Sequence, residues 1–119
     1  MINGFEQETA PLNIAERKVA EHLALNLQLY YIGKENSVTS DRIIKYYNSQ
    51  EAIKGFAKMN GARLRKIINH IRLKGMVLNL IATSKGYYVS RNAAEIAKYK
   101  DSLIQRAEAI LQISNTYTI

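Results

Sequence analysis

The sequence predicts a mainly α-helical domain with a small β-hairpin and a long C-terminal helix, an α+β class, and three observations carry that expectation. Apolar residues recur every three or four positions before Gly75. They then run as β-formers on either side of Thr83 to Gly86. From Asn92 onward they return to helical spacing. A chain of 119 residues, 47% of them apolar, is long enough to bury one core and too short for two.

Residues 1–12 are polar and end near Pro11, and read as a loose arm ahead of a single domain over 13–119. Asn13 suits the N-cap of a first helix over 14–32, with Glu16 in its first turn, where the helix dipole favours a carboxylate. Val19, Ala20, Leu23, Leu27 and Tyr30 form its inward stripe, and Leu25, Leu29 and Ile32 form a second apolar face. Gly33 fits the end of that helix. Val38 suits a very short strand, after which Thr39 or Ser40 caps a helix over 41–47 with Ile43, Ile44 and Tyr47 pointing inward.

Asn48 to Gln50 breaks the pattern, and Glu51 to Met59 reads as one or two further helical turns anchored by Ile53 and Phe56. A third main helix spans 62–74, with Leu64, Ile67, Ile68 and Ile71 on one face, and Gly75 stops it. Two strands within 76–90, Met76 to Ile81 and Tyr87 to Val89, flank a turn containing Gly86. Asn92 and Glu95 have the spacing of a capping box, opening a last helix over 92–113 with the stripe Ile96, Tyr99, Leu103, Ala107 and Ile110. The order is that of a winged helix-turn-helix followed by a long C-terminal helix.

The net charge of +7 is concentrated in one part of the chain. Residues 41–74 hold nine bases against two acids, and no acid occurs between Glu51 and Glu95. Within that gap stand Lys54, Lys58, Arg63, Arg65, Lys66, Arg72, Lys74, Lys85 and Arg91. Such a field attracts a polyanion and speeds its encounter. Advancing about 100° per residue along the third helix, Ala62, Lys66, Asn69 and His70 lie opposite the apolar face, flanked by Arg63, Arg65, Arg72 and Lys74.

The chemistry of that face suits duplex DNA. Asn69 has the donor–acceptor pair for adenine, Lys66 and Arg63 can reach guanine acceptors or phosphates, and small Ala62 permits close approach of the helix N-terminus. Ser84 and Lys85 at the hairpin tip, with Thr83 and the Gly86 amide, add phosphate donors. Tyr87 and Tyr88 read as sheet-packing residues ahead of base-stacking ones.

The run Arg63-Leu-Arg-Lys-Ile-Ile-Asn-His-Ile-Arg-Leu-Lys-Gly75, then Lys85-Gly-Tyr-Tyr-Val89 and the Ser102-Leu-Ile-Gln-Arg-Ala-Glu-Ala-Ile110 segment, resembles small winged-helix proteins of phages and prophages. The likeness covers about 38–112. It implies a DNA-binding regulator or a replication accessory factor. The longer connection 48–59 departs from that pattern.

Other classes find little support. There is no cysteine, and His22 and His70 stand far apart without carboxylates at ligand spacing, so neither a metal nor another cofactor is expected. The scattered acids form no catalytic pair or triad, no glycine-rich phosphate loop occurs, and no enzyme activity is expected. No run is apolar enough for a signal or membrane span, so the expectation is a cytoplasmic, nucleoid-associated protein. Two functions remain open: duplex DNA binding, with a homodimer through the first or last helix, or a protein interaction module such as a replication adaptor with no DNA site of its own.

Overall fold

The computed structural model describes residues 11–49 and 58–118. Helix α1 (Ile14–Tyr30) starts with a full capping box. Asn13 Oδ1 accepts from the Glu16 N–H at 2.7 Å, and Glu16 Oε1 accepts from the Asn13 N–H at 3.0 Å. Val19, Ala20, Leu23 and Leu27 are buried as expected, whereas Tyr30 is exposed. The helix ends before Gly33, because Ile32 is drawn into a bridge with Val89 and Tyr31 takes the cap position. Leu12, expected in the arm, belongs to the core at 5% exposure; residues 1–10 lie outside the described part.

A 3-10 turn (Lys34–Asn36) leads to Val38 and to helix α2 (Ser40–Asn48), capped by Thr39 Oγ1. Ile43 and Tyr47 are buried and Ile44 is half-buried. The expected helical turns of 51–59, with Ile53 and Phe56, fall almost wholly outside the described residues. The two ends of that connection are clasped, because the Asn48 amide accepts from the Met59 N–H at 2.8 Å and donates to the Met59 carbonyl at 3.1 Å. Met59 itself is a core residue.

Helix α3 (Gly61–Leu73) is capped by Asn60 and buries Leu64, Ile67, Ile68 and Ile71. Its end is a Schellman motif: Met76 donates to Ile71 and Gly75 to Arg72, with Gly75 at φ +63°. That motif, together with Asn79 at φ +60°, keeps 74–79 from being extended. Strand β1 is therefore Leu80–Thr83 rather than the segment from Met76 to Ile81, and Leu78 faces solvent.

Strand β2 (Gly86–Val89) pairs antiparallel with β1 in the register Leu80–Val89 to Thr83–Gly86, leaving Ser84 and Lys85 as the turn. The chain after α1 lies along the other edge of β2, with reciprocal bonds between Val38 and Tyr87 and bonds linking Tyr31 and Gly33 to Val89. Gly86 makes this close approach possible. At φ +122° a Cβ there would run into the Val38 carbonyl.

Helix α4 (Ala93–Ser114) has no buried residue. Ile96, Tyr99, Leu103 and Ile110 of the expected stripe are half-buried, while Ala107, Ile104, Leu111 and Ile113 are exposed. No other element packs extensively against it among the described residues. Asn92 caps it, but Glu95 turns away from the box to accept from the Ser90 and Tyr88 hydroxyls. Among the described residues no helix is long and apolar enough to cross a membrane.

Candidate nucleic-acid interface

The apolar face of α3 packs against α1 and α2, which fixes where its polar side chains go. One acid organises the side toward α1. Glu16 is only 2% exposed, and its carboxylate holds Lys66 Nζ at 2.9 Å and Arg63 Nε at 3.5 Å. Burial works against its charge, but the Asn13 amide and the two cations outweigh that, so the carboxyl ionises below the usual range. Arg63 also donates to the Lys58 carbonyl at 3.3 Å.

The expected reading face is therefore not one open surface. Lys66 and Arg63 are committed to Glu16, and Asn69, placed at an adenine edge by the sequence reading, is 4% exposed. His70 is half-buried, and burial followed by the nearby charges of Lys74 and Arg17 pushes its pKa down, so the imidazole is neutral at pH 7. Arg72 donates to the Tyr99 hydroxyl at 3.1 Å and its guanidinium stands 5.9 Å from that ring. The same hydroxyl accepts from the Ala82 N–H at 3.3 Å, so Tyr99 ties α4 to α3 and β1.

Ala62, Arg65 and Lys74 remain exposed on α3 and its cap, and Ser84 and Lys85 are exposed at the hairpin tip. Arg65, Lys74 and Lys85 have no carboxylate partner among the described residues. Thr83 and Gly86, expected as phosphate donors, are engaged or covered within the hairpin. Thr83 Oγ1 accepts from the Lys85 N–H and donates to the Gly86 carbonyl, and Gly86 is buried. Both hairpin tyrosines pack against the body: Tyr88 is buried with its hydroxyl on Glu95, and Tyr87 is half-buried on the core. Burial, then the Glu95 hydrogen bond, raises the Tyr88 pKa.

Sequence reasoning missed the reach of Glu16 and Tyr99. The Asn13-x-x-Glu16 spacing was a legible capping-box signal; the pairing with Lys66, fifty positions on, was not. No group of three His, Cys, Asp or Glu side chains fit to hold a metal occurs among the described residues. Comparison with protein-family models, with curated proteins and with solved structures finds no match to this chain.

Proposed function

We propose that this chain is a winged-helix protein that binds duplex DNA, with α2 and α3 as its helical pair and the β1–β2 hairpin as its wing. The observation that carries this reading is the acid-free basic stretch between Glu51 and Glu95. Its bases Lys58, Arg65, Lys74, Lys85 and Arg91 stand exposed before α3, on α3 and its cap, at the hairpin turn and in the link to α4. The pairing of Val38 with the outer edge of β2 supports the winged arrangement, since it gives the hairpin a third, minimal strand between α1 and α2.

Contact falls chiefly to phosphates, through Arg65, Lys74, Ser84 and Lys85, with Ala62 allowing approach at the start of α3. Base reading by Lys66, Arg63 or Asn69 requires the Glu16 pairing and the burial of Asn69 to open. A phage or prophage regulator or a replication-associated factor is the role that suits this reading.

The apolar stripe of α4, exposed at Ile104, Ala107 and Leu111 and half-buried at Leu103 and Ile110, supports a homodimer. A 22-residue helix extends about 33 Å, and Leu103, Ile104, Ala107, Ile110 and Leu111 share one side of it. Antiparallel pairing centred on Ala107 sets Leu103 against Leu111 of the partner subunit, with the small alanine at the crossing point. A dimer also presents two basic faces to one duplex.

The test is binding to a random-sequence duplex across a salt series. A slope of log affinity against log salt near −5, reduced by about two in Arg65→Glu/Lys85→Glu, supports the reading. Absence of binding at about 50 mM salt overturns it and favours the protein-adaptor reading.

A further inference from the structure

Apart from the residues of the proposed DNA surface, α1 and α2 border an open cavity of about 610 Å³ that also reaches Val38. Its floor is apolar and deep: Leu23, Val38 and Ile43 are each nearly fully buried. Its mouth is aromatic, formed by Tyr30 and Tyr46, both exposed. Two cations, Arg42 and Lys45, stand at the rim, and no acid is among the described residues that line it.

The aromatic wall is held in place before any ligand arrives. A 2.8 Å hydrogen bond joins the Tyr47 hydroxyl and His22 Nδ1. The Tyr46 ring stacks on His22 at 6.0 Å with an interplanar angle of 10°, and meets the Tyr47 ring edge-on at 5.1 Å. Burial, with Tyr46 and Tyr31 adding to it, keeps the Tyr47 phenol protonated well above the ordinary range, which preserves that bond. Side chains locked in this way lose little freedom when a flat ring enters.

We propose that this cavity is a binding site for a small aromatic carboxylate. The ligand's ring lies against Tyr46 over the apolar floor, and its carboxylate faces Arg42 and Lys45. The volume is of the size that holds small organic ligands, and the composition follows their usual pattern of an apolar body with a few polar groups at one end. The cations select the anion: a neutral ring of the same shape gains the apolar contacts without the charge-assisted bonds.

The probe is 2-naphthoate, titrated into the full chain and followed by amide chemical shifts, with neutral 2-naphthamide as the matched control. Saturable shifts confined to α1 near Leu23–Tyr31 and to Val38–Ser49 are expected, with affinity at least tenfold weaker for the naphthamide. The exposed pair Arg42→Ala/Lys45→Ala, checked for an unchanged circular dichroism spectrum, is expected to bring naphthoate down to the naphthamide level. Equal affinity for the two probes, shifts centred on the apolar stripe of α4, or undiminished naphthoate binding by the double variant each overturns the proposal. None of these readouts involves DNA, so failure here leaves the DNA reading untouched, and the reverse holds.

Discussion

Replacing Glu16 by Gln removes one charge from the junction of α1 and α3 while keeping the shape of the side chain. The Gln oxygen still accepts from the Asn13 N–H, so the capping box survives in outline. What disappears is the charge that Lys66 Nζ meets at 2.9 Å and Arg63 Nε at 3.5 Å. A hydrogen bond to a charged group contributes about 1.5–3 kcal/mol against about 1 for a neutral one, so the Lys66 contact loses about 1 kcal/mol. The longer Arg63 pair adds less than about 1 kcal/mol, because that side chain is 28% exposed and rehydrates.

The sum is about 1–2 kcal/mol, or a fall in Tm of roughly 4–12 °C for a chain of this size. The pH dependence gives a sharper test. The folded pKa of Glu16 is lowered, so its stabilisation is complete above the unfolded carboxylate value and is lost as pH falls through the folded one. The difference between wild type and Glu16→Gln should thus be full at pH 7 and shrink toward zero in strong acid. Urea unfolding followed by circular dichroism at pH 7, 5 and 3 measures it. A difference below about 0.5 kcal/mol at pH 7, or one that stays constant across the series, refutes the assignment of the charge as the stabilising element. If the DNA reading is right, the same variant frees Lys66 and Arg63 and steepens the salt slope by about one to two.

Gly86→Ala forces a Cβ into the Val38 carbonyl at φ +122°, and should cost about 3 kcal/mol or more, read as loss of the cooperative thermal transition or a large drop in Tm. Tyr99→Phe removes the hydroxyl that meets both Arg72 and Ala82, so α4 should exchange its amide hydrogens faster than the rest of the chain while the core Tm falls by only a few degrees. Ile104→Glu/Leu111→Glu, at two exposed positions, should leave the fold intact and yield a monomer by light scattering at a concentration where the parent chain is a dimer; a parent that is already monomeric at about 100 μM counts against pairing through α4.

Local rules were readable wherever a residue acts on its own neighbours. Asn13, Thr39, Asn60 and Asn92 cap the helices they precede, Gly75 ends α3, and the switch to β-formers marks the hairpin. The stripes of α1 and α3 were legible because each is buried on one side. Boundaries slipped where another contact took over. Ile32 left α1 to bridge β2, and the chain after Gly75 turned through Asn79 instead of extending. The stripe of α4 looked like core in the sequence because periodicity reports an apolar side and not what covers it.

The candidate site separates along the same line. That the positive charge gathers between Glu51 and Glu95, and that Arg65, Lys74, Ser84 and Lys85 fall on a helix and a hairpin tip, is legible from residue order, since charge and short-range periodicity are written along the chain. The capture of Lys66 and Arg63 by Glu16, the burial of Asn69 and the Arg72–Tyr99 contact come from the packing of distant elements. Those outcomes depend on how α1 packs against α3 and on where α4 brings Tyr99. Packing angles come from the fit of whole faces rather than from any one residue, so a buried acid fifty positions away cannot be assigned to its lysine until the helices are set against each other.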